Sequence, residues 1–380
     1  MSKKTKKENN NEVRFERVEL LNALKLAQMV AAKNSPKQTT ECALLAIRGN
    51  ECSVRATDLE VAIEKKIACR SEINEKLFEA ALPCAELYRA VSQADDDEIV
   101  IRHMKEHNEI ITMDGVYRFN AIDPALFPDG MFGFNVDGGI EMKIAELQEA
   151  AGKVVCALDA SASSRYALNG VLWDKGISMV ATNGRHLAKT VLKKETSKVQ
   201  TNKRQIISKR TVVLLSHIEA DEDEVCKVEL GENGIFIKTD KLYITGPLID
   251  GNFPKYEEVI PAGCEHSVYF DAERVIRQVR RAKILEGDYE NEKNIIISSE
   301  TGCVIFDSEN QKLGTASMKI PIESDTKNGA DDFEIAVKSK HFLAALKTLE
   351  KFRLEVTDSD KPLVLTDDET THVIMPVSGI

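Results

Sequence analysis

The sequence predicts an α+β protein of three tandem, similar domains, each about 125 residues long and carrying two helices on an antiparallel sheet. Three observations carry that expectation. An amphipathic helix pattern starts at Val18, Ala145 and Ala272, with Glu19, Glu146 and Glu273 in the same place, each 127 residues after the last. A second helix pattern recurs from Cys84, Ser208 and Lys338. Between these stand short β-rich runs (CALLAI, VLWD, NIIISS, CVIF) separated by the turn signals RGNE, MDG, WDKG, GEN and ETG. A pattern that keeps step over the whole chain marks internal repetition.

The first helix of each repeat presents one apolar stripe. The stripes are Leu20, Leu21, Leu24, Ala27 and Ala31; then Leu147, Ala150, Ala151, Val154, Val155 and Leu158; then Val275, Ile276, Val279 and Ala282. Of the second helices, two open with a serine, Ser208 or Ser339, suited to capping free N–H groups. Two further segments repeat. FNAIDPALFPD (119–129) matches YITGPLIDGNFPKYEEVIP (243–261), and ATDLEVAIE (56–64) matches ATNGRHLAK (181–189), with Thr57 and Thr182 separated by 125 residues. The expected organisation is a locally basic, disordered arm at 1–12 and domains at 13–137, 138–264 and 265–380. The stretches DGMFGFNVDGG (129–139) and PAGCEH (261–266) serve as linkers.

Composition narrows the classes. With 43% hydrophobic and 30% charged residues, the chain can bury cores, which excludes wholesale disorder. No apolar run approaches the roughly 18–20 residues of a bilayer span. The N-terminal MSKKTKKENNNE has no apolar stretch behind it, so no secretory signal is read and a cytoplasmic location is expected. The eight cysteines (42, 52, 69, 84, 156, 226, 264 and 303) form no CxxC pair. They are expected as reduced core residues, with neither a disulfide framework nor a bound metal or cofactor.

Nothing in the sequence reads as a catalytic site. There is no GxSxG elbow, no Walker loop and no GxGxxG. His103 and His107, in HMKEH, would share a face on a helix, and a metal-dependent hydrolase using them is the alternative from another class. The surrounding EIVIRHMKEHNEIITMDG instead reads as two strands joined by a polar turn. The acidic runs QADDDEIV (93–100) and ADEDEV (220–225) fall between predicted elements and read as solvated loops.

The basic residues are placed unevenly. Arg274, Arg277, Arg280 and Arg281 fall opposite the apolar stripe of the third-repeat helix, and Lys340, Lys347 and Lys351 share a face of the last one. Lys203, Arg204, Lys209 and Arg210 surround the start of the middle repeat's second helix, while Lys25, Lys33 and Lys153 lie on first helices. Basic helix faces in a chain of net charge −11 imply charge segregation, which calls for a polyanion facing those helices. Aromatic residues are 6% of the chain, so backbone contacts to a duplex fit better than base stacking on single strands.

Particular segments resemble a known family. RYALNGVLWD (165–174), MVATNGRHLAK (179–189), DGNFPKYEEVIP (250–261) and HVIMPV (372–377) are similar in order and spacing to the bacterial DNA polymerase III β subunit, the sliding clamp. ATDLEVAIE and the FP of ALFPD extend the likeness into the first repeat, so that it covers residues 13–377. The resemblance implies a head-to-tail homodimeric ring of six domains, helices inward, around double-stranded DNA. It implies a processivity factor without catalysis, tethering the polymerase, the clamp loader and other proteins that carry a clamp-binding peptide. A paralogue specialised for repair or a mobile element is the alternative within the same class.

The resemblance also implies site residues. The partner-peptide pocket would use Leu168, Thr182, Gly184, Arg185, His186, Leu187, Pro254, Val259, Val373, Ile374, Met375, Pro376 and Val377. DNA-facing residues would be Lys25, Lys33, Lys153, Arg165, Tyr166, Lys209, Arg210, Arg277, Arg280, Arg281, Lys340 and Lys347. The dimer seam would set Tyr117 against Ile284 and Leu285. The chain reads Asn183-Gly184-Arg185-His186-Leu187 where the family usually has Asp-Gly-His-Arg-Leu.

Overall fold

The computed structural model describes residues 12–73, 77–104, 106–136, 138–158, 168–192, 204–219, 221–232, 234–286, 294–300, 302–310, 312–322 and 333–377. Six α-helices lie among them: α1 (Arg17–Val30), α2 (Cys84–Gln93), α3 (Ile144–Val155), α4 (Lys209–Leu215), α5 (Ala272–Ala282) and α6 (Ser339–Leu346). None of the described helices is long and apolar enough to cross a membrane. The basic arm expected at the N-terminus lies, up to residue 11, outside the described residues.

The chain divides into two compact units, Met1–Ala145 with His217–Pro247, and Glu146–Ser216 with Leu248–Ile380. In the first, a sheet runs in the order Arg70–Ser71, Glu12–Glu16, Glu98–His103, His107–Thr112, Gly115–Asn120. A second run of strands starts at Phe78–Pro83 and passes through Cys42–Arg48, Glu51–Thr57 and Ala62–Ala68. There Ile63 pairs with Ile244, which brings strand Leu242–Ile249 alongside, followed by Gly234–Lys238, Val225–Leu230 and Ile140–Lys143. Helix α1 packs on α2 and buries Leu20, Ala23, Leu24, Ala27 and Val30, the i, i+3/i+4 spacing of one apolar stripe.

In the second unit, strands follow one another as His266–Asp271, Lys351–Val356, Leu363–Thr366, Thr370–Ile374, His186–Val191, Ser178–Thr182, Gly170–Asp174 and Arg204–Ser208. Another sheet orders Gly314–Pro321, Cys303–Asn310, Asn294–Glu300 and Glu334–Lys338. Val275, Val279 and Ala282 of α5 and Phe342, Ala345 and Leu346 of α6 enter a core with Phe306, Phe352 and Leu354. The middle repeat's strands are shared between the units because strand pairing continues across the repeat junctions and covers edges that would otherwise be open.

Local rules explain most element ends. Ser208 Oγ accepts the Thr211 N–H and caps α4, and Asp271 Oδ1 accepts the Arg274 N–H at 3.1 Å and caps α5. Such caps stabilise a helix by about 1 kcal/mol. Ser339 was expected to cap the last helix and does not: Lys338 holds the cap position without a side-chain cap bond, and Ser339 is the buried first residue of α6. His103 ends strand Glu98–His103 and His107 opens strand His107–Thr112 of an antiparallel pair, with His103 opposite Asn108. The two-residue period of a strand puts the imidazoles on opposite faces, so they share no ligand position. His103 Nδ1 lies 2.8 Å from Asn108 Oδ1, and His107 Nε2 lies 3.4 Å from Glu109 Oε1.

Candidate partner and nucleic-acid surfaces

Strands His186–Val191 and Thr370–Ile374 run antiparallel, with Leu187 opposite Val373 and His186 opposite Ile374. Their alternation divides the expected pocket residues between two faces. Leu187 and Val373 lie with Leu172, Val180, Ile206, Val364 and Tyr256, and Phe253 and Ile260 pack on that cluster. His186 and Ile374 point the other way and are wholly buried, Ile374 within the α5–α6 core. These two expected pocket residues are thus separated from Leu187 and Val373, because a residue one step along a strand faces the opposite side.

The rest of the expected pocket surrounds the end of this sheet. Thr182 Oγ1 donates to the His186 carbonyl, and Asn183 Oδ1 accepts the Arg185 and His186 N–H groups, making a tight turn with Gly184 at φ 81°. The Met375 N–H donates to the Arg185 carbonyl at 2.8 Å, and the Val377 N–H to Ala336. Pro376 bridges to Val337. Met375 and Val259 are 39% and 41% exposed, Pro254 is half-buried and Leu168 is buried beside residues outside the described set.

Sequence reasoning missed the polar group that braces this face. Tyr256 Oη donates to Asp174 Oδ2 at 2.6 Å, and Arg204 Nε donates to Asp174 Oδ1 at 3.0 Å. The Arg204 guanidinium and the Lys189 ammonium stand 5.5 and 5.6 Å from the centre of the Tyr256 ring, within cation–π range. Burial alone would raise the Asp174 carboxyl, but the Tyr256 hydroxyl and Arg204 outweigh it and hold the pKa below the usual value. Burial, aided by Asp174, pushes the Tyr256 phenol up to about 12. The signal in sequence was slight, a tyrosine and an arginine 52 residues apart.

The basic residues fall into two groups. Arg277, Arg280 and Arg281 are exposed on α5 and, with Glu273, Ile276 and Ile284, line a surface depression of about 550 Å³. Lys25, Lys33, Arg210, Lys340 and Lys347 are also exposed, Lys209 is half-buried, and Lys25 lies 3.4 Å from Glu219. Lys153 departs from the expectation. Its side chain is 14% exposed and pairs with Glu149 at 2.8 Å and Glu369 at 3.2 Å, so its charge is already matched within the fold. Burial opposes that charge, and the two carboxylates overcome it, holding the ammonium above the usual lysine value. Arg165 and Tyr166 lie outside the described residues, as does Lys203.

Each unit also presents a strand with a neighbour on one side only among the described strands. Gly115–Asn120 pairs with His107–Thr112 alone and exposes Val116 and Tyr117. Gly314–Pro321 pairs with Cys303–Asn310 alone. Ile284, on the short turn Lys283–Glu286 after α5, is 74% exposed, and Leu285 beside it is half-buried.

Two family models match this chain: the DNA polymerase III beta subunit central domain over residues 141–255, and the C-terminal domain of the same subunit over residues 257–378. The chain belongs to the DNA polymerase III beta subunit family. The beta sliding clamp of Pseudomonas aeruginosa is 24% identical over 375 residues, covering 96% of this chain and 98% of that protein. That of Haemophilus influenzae is 25% identical over 348 residues, covering 88% and 90%. The fold is that of solved clamps in this family. The Pseudomonas aeruginosa sliding clamp superposes with a TM-score of 0.77 at 23% identity, over 97% of this chain and all of the other. The Bacillus subtilis clamp gives 0.79 at 16% identity, over 98% and 100%. A further Pseudomonas aeruginosa clamp, at 0.77 and 22%, over 97% and 100%, was solved bound to griselimycin.

Proposed function

We propose that the chain is a DNA sliding clamp: a non-catalytic accessory subunit that closes as a head-to-tail dimer around duplex DNA and tethers a polymerase to it. The observation that carries this reading is the beta sliding clamp likeness, which spans 96% of the chain rather than one module of it. The three-domain division at 13–137, 138–264 and 265–380 follows; the central-domain model, which starts at residue 141, supports its first boundary, while the C-terminal model starts at 257, eight residues before 265. The chain acts in the cytoplasm, at the nucleoid.

Physical features agree. An exposed arginine cluster on one helix, in a chain of net charge −11, suits phosphate contacts without base reading. The open edges at Gly115–Asn120 and Gly314–Pro321 suit a dimer seam made by strand addition, with Tyr117 and Ile284 as its exposed apolar groups. The apolar face carrying Leu187 and Val373, with Met375 at its rim, suits a short peptide from the polymerase, the clamp loader or another partner.

Scattering with absolute mass calibration, then retention on DNA, tests the proposal. At micromolar concentration the particle should have twice the chain mass. After loading by a bacterial clamp loader with ATP, it should stay on nicked circular DNA and leave once the circle is cut. Ile284→Asp should give a folded monomer that is not retained. Retention that ignores linearisation, or a wild-type monomer at this concentration, would overturn the ring.

A further inference from the structure

The sheet face behind Leu187 and Val373 carries a cluster for which the proposed clamp role has no use. Cys156 follows α3, His186 opens strand His186–Val191, and His372 sits within Thr370–Ile374, diagonally across the pair. One ligand atom from each, Cys156 Sγ and a ring nitrogen of either histidine, lies within 4.8 Å of the others. Both histidines are wholly buried.

Hydrogen bonding fixes how His372 is presented. The Thr348 hydroxyl donates to the Ala345 carbonyl at 2.8 Å, so its oxygen accepts the His372 Nε2–H, also at 2.8 Å. His372 therefore keeps its lone pair on Nδ1, which faces His186 Nε2 at 3.1 Å. An imidazole held by an N–H bond on one side and offering its other nitrogen inward is arranged as a metal ligand is. His186 Nδ1 is buried without a hydrogen-bond partner among the described residues. In the metal-free chain His186 Nε2–H therefore donates to His372 Nδ1. The partnerless Nδ1 can take up that proton, so that a metal ion replaces this one hydrogen bond and receives the Nε2 lone pair without a bond breaking on the far side of the ring.

From this geometry we infer that Cys156, His186 and His372 form a binding site for one zinc ion, with a fourth position open to water. One thiolate and two imidazoles make a borderline-soft donor set that suits zinc. In a tetrahedron with Zn–N about 2.0–2.1 Å and Zn–S about 2.3 Å, ligand atoms stand roughly 3.3–3.6 Å apart. The histidine nitrogens are already near that separation, and Cys156 closes the remainder by turning its thiol from the Lys153 carbonyl, 3.4 Å away. A surface cleft lined by Glu149, Gly152, Lys153, Asp367 and Glu369 also includes Thr348, the residue hydrogen-bonded to His372. The charges around the cluster are Lys153, balanced by Glu149 and Glu369, and, around the neighbouring His341, Arg185, Lys338 and Lys340. Binding replaces the thiol proton: Cys–SH and Zn²⁺ give Cys–S–Zn⁺ and H⁺. The ion joins the end of α3 to two strands distant in sequence and stabilises the folded chain by mass action.

The test uses full-length protein stripped with a chelator and titrated with Co²⁺. The inference expects one ion per chain, a near-ultraviolet thiolate-to-cobalt band, and loss of that band on adding Zn²⁺. Cys156→Ser should remove the band, and His372→Gln should weaken binding at least tenfold. The double variant His103→Ala/His107→Ala should bind as wild type. In unaltered protein, Zn²⁺ should slow alkylation of Cys156 while leaving the other seven cysteines unchanged, a readout that needs no variant. A missing band, a band that survives Cys156→Ser, or no protection of Cys156 would overturn the site.

Discussion

Leu59 and Gly184 hold the same left-handed backbone, φ 80° and 81°, at the same place in two copies of one hairpin turn. In both, a threonine hydroxyl donates to the carbonyl four residues on (Thr57 to Val61, Thr182 to His186). In both, the next side chain accepts two N–H bonds: Asp58 from Glu60 and Val61, Asn183 from Arg185 and His186. A third copy stands at Thr366 and Asp367, closing the hairpin that ends in Thr370–Ile374.

That shared geometry makes a stability prediction. Left-handed strain on a leucine costs roughly 1–3 kcal/mol, more than the roughly 0.5–1 kcal/mol of chain entropy that glycine adds. Leu59 is 53% exposed and loses little burial on removal. Leu59→Gly should therefore raise stability by about 1 kcal/mol, and Gly184→Ala should lower it. Urea denaturation midpoints at unchanged slope check both signs.

Peptide binding separates the two sheet faces. Met375→Ala with Pro376→Ala should weaken a fluorescent clamp-binding peptide by at least tenfold, about 1.4 kcal/mol, with the dimer mass unchanged. His372→Gln, on the opposite face, should leave peptide affinity within about twofold, less than 0.5 kcal/mol. Equal losses in both would mean that the peptide does not read the Leu187 face.

Salt dependence should separate free from satisfied cations. Replacing Arg277, Arg280 and Arg281 by glutamine should lower the slope of log affinity against log salt by up to about 0.9 for each phosphate no longer neutralised. Lys153→Gln should leave that slope unchanged, because Glu149 and Glu369 already match the charge. It should instead lower the melting temperature, since two carboxylates lose their partner. Fluorescence anisotropy on a linear duplex across a salt series measures the slopes.

Asp174 gives an acid-side prediction. Its carboxyl is held below the usual value in the folded chain, where Tyr256 and Arg204 outweigh burial. The unfolded chain takes up that proton first, near pH about 3.9. The stabilisation is therefore complete at neutral pH and is lost as the solution is acidified through the folded pKa. Asp174→Asn should lower stability at pH 7 and flatten the fall in denaturation midpoint below about pH 4. An unchanged acid limb would place the titration elsewhere.

The sequence by itself determined the repeated helices, because a 3.6-residue apolar stripe is local information and the same stripe returned at equal spacing. It determined the strand pair that holds His103 and His107, because polar residues between alternating strands are local too. It also carried the family likeness through RYALNGVLWD, ATNGRHLAK and HVIMPV. Which face each residue of a strand serves was decided by tertiary packing. Leu187 and His186 are neighbours in the chain, yet one joins Val373 and Tyr256 while the other joins His372. The pairing of Lys153 with Glu369, and the meeting of Cys156 with two histidines, join residues up to 216 positions apart. No local pattern encodes such meetings, because a charge or a thiol shows its use only when the fold brings its partner beside it.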